Sequence, residues 1–370
     1  MTRSRKVVTV VLLLFALCVV GFNVAIQYDA ACPQAPATSQ NGEQMHAIAY
    51  RCYGGPEVLH LESVSKPVPA ADELLVKVHA AGLNPHDWHY VRGTPYLVRA
   101  QSGFGAPSDS RLGVDFAGTV EAVGGNVAQF RPGDAGFGGG KGSFAEYVVI
   151  NERDAIANKP TNLTFEQAAA VPIAAVSALQ ALRDRGGVKP GHKVLINGAS
   201  GGVGTFAVQL AKSMGAEVTG VCSARNAQLV RELGADHVID YTQTDFTAGE
   251  QRYDVIIDNV VNHSLSEYRR VLSPNGILVV VGASDDQWWG PTKLPIQQKL
   301  LFPLSGRKFV LFMADMNARD LNVLKELFET GKLIPIIDRK YALADLPEAV
   351  RYSESGRARG KIVIEVAPAR

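Results

Sequence analysis

The stretch Val194-Leu195-Ile196-Asn197-Gly198-Ala199-Ser200-Gly201-Gly202-Val203-Gly204 decides the fold. It opens as an apolar run suited to a buried strand, turns through glycines, and continues with Val203, Phe206, Ala207 and Leu210 at helical spacing. A glycine fingerprint carries meaning only in that strand–turn–helix setting. Ala199-x-Gly201-x-x-Gly204 has the spacing of a dinucleotide turn, with alanine at the first position. Gly201 and Gly202 lack a Cβ, so the backbone can approach a pyrophosphate, and Gly204 lets the helix lie close to the strand. Free N–H groups at the start of the helix attract the anion. The candidate phosphate-binding residues are therefore Ser200, Gly201, Gly202, Val203 and Gly204.

Just downstream, Glu217–Cys222 reads as a second strand and ends in Ser223-Ala224-Arg225-Asn226. An NAD site would place an acid here to accept from the ribose 2′-hydroxyl. No acid occurs between Gly220 and Leu229, whereas Ser223 and Arg225 offer a hydroxyl and a guanidinium to a 2′-phosphate. NADPH is favoured over NADH. Strands at His237–Asp240, Val255–Asp258 and Ile277–Val281 alternate with helices at Ala227–Leu233 and Ser264–Leu272, the pattern of a doubly wound parallel sheet covered on both faces.

Upstream the text differs. Leu74–Val78, Gly113–Val123 and Ser143–Ile150 read as short strands broken by glycine and proline, which makes a β-rich lobe. A helical stretch at Thr164–Leu182, interrupted by Pro172, leads into the second lobe, and the strand Lys361–Val366 returns to the first. At 370 residues, two domains are the natural organisation. The net charge of +1 gives no electrostatic case for nucleic acid. Cys18, Cys32, Cys52 and Cys222 form no C-x-x-C pair, which argues against a disulfide framework and a cysteine-rich zinc site.

The N-terminus reads differently from the body. Arg3, Arg5 and Lys6 precede Val7–Ile26, a run without a charged residue and long enough, as a helix, to span about 30 Å of hydrocarbon. A retained single-span membrane anchor is the leading reading, with a cleaved or lipidated signal near Cys32 as its alternative. Residues 27–44 then read as a flexible tether. Basic residues before the span would place the body outside the cytoplasm, whereas an NADPH enzyme needs the cytoplasmic pool; which side the body occupies stays open.

Taken together, Ala199–Leu210, Glu232–Tyr241, Gly360-Lys361-Ile362-Val363, Tyr53-Gly54-Gly55-Pro56-Glu57-Val58-Leu59 and Asn84-Pro85-His86-Asp87-Trp88 resemble the medium-chain dehydrogenase/reductase family, close to its quinone oxidoreductases. The resemblance runs from Met45 to about Val366. It implies an α/β protein with a GroES-like catalytic domain at 45–165, a Rossmann NADPH-binding domain at 166–310 and a return to the catalytic domain at 311–370. It also places Asn84 near the nicotinamide ribose, Tyr241 by the 2′-phosphate and Gly282-Ala283 near the nicotinamide. Relatives commonly form dimers, so a homodimer is a further expectation.

The zinc branch of that family puts a cysteine where Asn84 stands and Gly-His-Glu where this chain reads Gly113-Val114-Asp115. Catalytic zinc needs about three protein ligands, so no metal is expected; His86 and His89 read as loop and cleft-wall residues. Without a strong Lewis acid the site suits acceptors that need little activation, namely quinones and α,β-unsaturated carbonyls. Hydrogen-bond donors would meet the oxyanion, with Asn84 first, chiefly for positioning, then Tyr96 and Tyr90. Two rivals share the sequence: an enoyl-thioester reductase, and a membrane-tethered NADPH-binding sensor or scaffold.

Overall fold

The computed structural model describes residues 18, 20–33, 42–282 and 306–366, and in it the β-rich text and the alternating text fold as two lobes around separate sheets. In chain order, β1 (Gln44–Ala49) and β2 (His60–Ser65) form an antiparallel pair. The remaining strands of the first lobe are β3 (Glu73–Leu83), β4 (Asp115–Val123), β5 (Ala135–Gly139), β6 (Tyr147–Asn151) and β7 (Ile156–Asn158). The second lobe holds β8 (Lys193–Asn197), β9 (Glu217–Cys222), β10 (His237–Asp240), β11 (Tyr253–Asp258), β12 (Leu272–Val280) and β13 (Lys308–Leu311). Their order, β10-β9-β8-β11-β12-β13, is parallel throughout. This is the doubly wound arrangement in which the chain reverses direction between its first and fourth strands, here β8 and β11.

Two late strands, β14 (Ile337–Ala342) and β15 (Lys361–Glu365), leave the second lobe and complete the first. β15 pairs antiparallel with β3, giving the order β14-β15-β3-β4-β5-β7 with β6 also on β3. This is how Lys361, remote in sequence, comes to lie beside Leu83 and Asn84.

The helices that matter for the site follow from local rules. α1 (Pro85–Arg92) starts with proline, whose missing N–H costs nothing in the first turn, and ends at Gly93 in the left-handed region. The helical text at 164–182 splits in two: Thr164 and Gln167 form a reciprocal cap on α2 (Phe165–Ala169), and Pro172 begins α3 (Pro172–Gln180). α4 (Gly202–Ser213) follows the phosphate turn. Ala169, Ala174, Ala175, Ala178 and Ala207 are buried between these helices and the sheets, where small side chains let the backbones approach. A Cβ on Gly82 of β3 would sit 2.4 Å from Ala169 O, so the close packing of α2 on β3 depends on that glycine.

The N-terminal segment departs from expectation. Residues 1–17 and 19, most of the charge-free run, lie outside the described residues. Among the described residues no helix is long and apolar enough to cross a membrane. The helix over 20–27 is docked at its end, where Ile26 is 2% exposed and its carbonyl accepts from Arg99. The free tether over 27–44 is corrected for its first part. Ala30 N–H donates to Gly105 O at 2.8 Å, Asp29 pairs with Arg99 at 2.8 Å, and Cys32 is disulfide-bonded to Cys52. The cysteine reading is corrected with it, because tertiary folding brings together two cysteines twenty residues apart that no short motif links.

Candidate functional site

The phosphate turn is held by what glycine permits. Gly198 has φ of +77°, which lets the chain leave β8 sharply, and a Cβ on Gly204 would lie 2.1 Å from Gly198 O. α4 can therefore start directly against the strand, with its first N–H groups facing the end of the sheet. Around Gly201 there is open space: its virtual Cβ meets nothing closer than Gly198 O at 3.5 Å. Ser200 is tied down, its Oγ accepting from Asn226 Nδ2 at 2.9 Å and its carbonyl from Gly360 N–H at 2.9 Å. The sequence fingerprint passed over Gly198; a glycine immediately after an apolar strand was the available signal.

At the neighbouring strand ends, Ser223 follows β9 and Tyr241 follows β10, its N–H donating to Cys222 O at 3.2 Å. Arg225 lies one step further and donates to Arg357 O at 2.9 Å. It borders a cavity of about 600 Å³ whose other basic residues are Arg339, Arg351 and Arg357. The structure thus brings Ser223, Tyr241 and Arg225 to one end of the sheet. At the reversal point, Gly282 N–H donates to Asp258 O at 3.2 Å, and a Cβ there would lie 2.3 Å from Asn259 O. Ala283 lies outside the described residues.

On the catalytic lobe a buried polar knot surrounds Asn84. Its backbone N–H is capped by Asp87 Oδ2 at 2.8 Å. Its amide nitrogen donates to Gly82 O at 3.2 Å and to Asp115 Oδ2 at 3.0 Å, and its Oδ1 accepts from Lys361 Nζ. Lys361 also donates to Leu83 O at 3.1 Å and lies 3.4 Å from Asp115 Oδ2. Asp115 accepts in addition from Ile173 N–H, in the first turn of α3, at 3.0 Å. Burial pushes the Asp115 carboxyl above the usual carboxylate range, and the Lys361 ammonium and Asn84 amide pull it partly back. Both amide hydrogens of Asn84 are committed, so this side chain sets geometry and has no donor left over for an acceptor.

Lys361 is the residue that sequence reasoning missed. It appeared only as one letter of Gly360-Lys361-Ile362-Val363, although a lysine entering an apolar strand was itself a signal. Its stem crosses the start of α4, 3.1 Å from a virtual Cβ on Gly202, and Gly360 bridges to Gly201. One short segment therefore connects the phosphate turn with Asn84.

Beyond α1 lies a second cavity, of about 430 Å³, bordered by Tyr50, Asp87, Tyr90, Ser102 and Val114. Burial raises the Tyr50 and Tyr90 phenols, so both stay protonated at neutral pH. Tyr96 stands apart from this lining, half-buried with its ring 5.0 Å from the Arg99 guanidinium. His86 packs on Tyr90 while His89 bonds Thr94 O at 2.8 Å, so the two imidazoles serve different neighbours. Among the described residues no group of three or more His, Cys, Asp or Glu side chains could hold a metal.

Comparison with known proteins gives two matching families: "Alcohol dehydrogenase GroES-like domain" over residues 70–161 and "Zinc-binding dehydrogenase" over 233–364. A chloroplast envelope quinone oxidoreductase homolog from Arabidopsis thaliana is 34% identical, over 88% of this chain and 99% of its own. A mitochondrial NAD(P)H oxidoreductase of Mus musculus, RTN4IP1, is 32% identical over 89% and 91%. The solved quinone oxidoreductase of Coxiella burnetii superposes with a TM-score of 0.77 at 32% identity, covering 88% of this chain and 100% of that one.

Proposed function

This chain belongs to the medium-chain dehydrogenase/reductase family, among its quinone oxidoreductase-like members, and from that premise we propose that it oxidises NADPH and delivers the hydride to a quinone or an α,β-unsaturated carbonyl without zinc. That it is an oxidoreductase using a nicotinamide cofactor follows from the family. The finer choices rest on the site.

The observation that carries the cofactor choice is the basic end of the sheet. With Arg225 beside a cavity flanked by three further arginines and one acid, Glu348, and no acid at the end of β9 itself, the chain suits a 2′-phosphate. Ser223 and Tyr241 stand at the neighbouring strand ends. The open backbone at Gly201, with the first N–H groups of α4, would hold the pyrophosphate, and Gly282 the nicotinamide side.

Zinc does not fit the residues present. At the positions where the zinc branch carries its ligands stand an amide, Asn84, and an aliphatic, Val114. The one carboxylate nearby, Asp115, already faces the Lys361 ammonium. A cation already sits in the knot, and a second one would have to displace it. Acceptors conjugated with an alkene or a second carbonyl need no such Lewis acid.

A reduced nicotinamide, when bound, supplies the hydride. Asn84 and Lys361 fix the floor of the cleft, Val114 walls it, and the protonated phenols of Tyr50 and Tyr90 supply hydrogen-bond donors on the acceptor side. The proton that completes the reduction comes from a phenol or from water.

Stopped-flow mixing of the NADPH-loaded protein with a panel of quinones and enones tests this reading, with chelator present throughout. Rapid oxidation of NADPH by some of them, unaffected by chelation and far slower from NADH, is the expected result. Tightly held stoichiometric zinc, or bound NADPH that no acceptor oxidises, overturns it.

A further inference from the structure

The segment between Gly93 and Ser108 forms one wall of the smaller cavity through Gln101, Ser102 and Ser108. Its regular structure is a short helical stretch over Tyr96–Ser102, it pairs with no strand of either sheet, and Gly93, Gly103 and Gly105 all take positive φ. Such a stretch, with few backbone bonds to a sheet, opens at low free-energy cost unless something holds it. What holds it lies outside the matched family regions, in residues 26–32.

Arg99 is the centre of that attachment. It is 2% exposed, and its guanidinium donates to Ile26 O at 3.1 Å, to Tyr28 O at 3.2 Å and to Gly93 O at 2.8 Å, while pairing with Asp29 at 2.8 Å. Its guanidinium faces the rings of Tyr53 at 4.4 Å and Tyr96 at 5.0 Å. Removing residues 26–29 would take away two carbonyls and a carboxylate and leave Gly93 O as the hydrogen-bond acceptor for the guanidinium, so the loop would lose the groups that fix where Arg99 sits. Ala30 adds a backbone bond to Gly105, and Cys32 ties the strap covalently to Cys52. The next residue, Tyr53, bonds Ser102 Oγ and Gly103 O, each at 2.7 Å, so the disulfide, the tyrosine and the cavity wall are one continuous assembly.

We propose that residues 26–32 act as a positioning strap, buckled by Cys32–Cys52 and gripped by Arg99, that sets the shape of the wall at 93–108 and with it the recognition of the acceptor. The strap's disulfide, ion pair and hydrogen bonds to Arg99 and Gly105 all fall on the catalytic lobe, so it governs acceptor binding and leaves dinucleotide binding alone. This assignment rests on reading the smaller cavity as the acceptor site.

The test compares the full chain with a Cys32→Ser/Cys52→Ser double variant and with Asp29→Ala, which keeps the disulfide and removes one grip on Arg99. Three quantities are read: the KM for 1,4-benzoquinone, the affinity for NADPH by fluorescence quenching, and amide exchange across 93–108. The double variant is expected to raise the quinone KM at least tenfold, with NADPH affinity within twofold and faster exchange over 93–108. Asp29→Ala is expected to shift the same quantities less, and it carries the test alone if the double variant does not fold. Unchanged exchange at 93–108, or an unchanged quinone KM, overturns the strap. A parallel loss of NADPH affinity also overturns it, since that marks general destabilisation. A wild-type chain whose loop is protected but whose NADPH the quinone never oxidises defeats the reductase reading instead, while the exchange data still decide whether the strap exists.

Discussion

Lys361 donates to Asn84 Oδ1 across 277 residues of sequence, joining the last strand of the chain to the cap of its first catalytic helix. The pair also carries Asp115, whose carboxylate has no solvent contact. Lys361→Met would leave that carboxylate without its cation and is expected to cost about 3–5 kcal/mol at neutral pH. Because burial already holds Asp115 above the usual range, the variant should protonate it on mild acidification, and the deficit should narrow as pH falls. Urea unfolding of both forms between pH 4 and pH 8 measures this; equal stability at neutral pH would refute it.

Gly204→Ala tests the close approach of α4. Its methyl group would start 2.1 Å from Gly198 O, so the helix must move off the strand, taking its first N–H groups with it. Overpacking of this kind costs about 1–3 kcal/mol, and NADPH affinity should fall by an order of magnitude or more. Calorimetric titration that finds wild-type affinity would show that the turn does not bind the pyrophosphate.

Arg225→Ala separates the two dinucleotides. Hydrogen bonds to a charged group contribute about 1.5–3 kcal/mol, so NADPH affinity is expected to drop by roughly ten- to a hundredfold with NADH affinity unchanged. An equal loss for both would place Arg225 outside the 2′-phosphate site.

Asp320 offers a pH prediction. It accepts from Gln180 at 2.7 Å and from Arg183 at 2.9 Å, fixing the loop that carries Met316 against Gly139. Burial pushes its carboxyl up, but these hydrogen bonds and the Arg183 charge outweigh burial and hold it below the ordinary value. A depressed folded pKa gives stability that is present above the unfolded value, about 3.9, and is lost as pH falls through the folded one. Asp320→Asn should therefore lower stability by about 1–3 kcal/mol at neutral pH, and the two forms should converge as pH falls through the depressed folded value. A gap that persists in acid would mean that the charge contributes nothing.

The dinucleotide lobe was legible in the sequence because its rules are local. A buried parallel strand must be apolar, the turn after it must be glycine where backbone meets backbone, and the helix after that must repeat every 3.6 residues. Val194–Leu210 meets all three within seventeen residues, and Arg225 follows the next strand, where an NAD site would carry an acid. The β-rich lobe and the family followed from motifs of similar length. What needed tertiary structure was every relation that no spacing encodes. Lys361 reaches Asn84 only because β15 leaves one lobe to pair with β3 of the other. Cys32 finds Cys52, and Arg99 finds the carbonyls of Ile26 and Tyr28, only because a segment that looked like a polar tether folds back onto the lobe. A local pattern fixes which residues can form an element, since propensity and periodicity act over a few residues. The partners of a buried charge or thiol are chosen by packing, which brings together groups from anywhere in the chain.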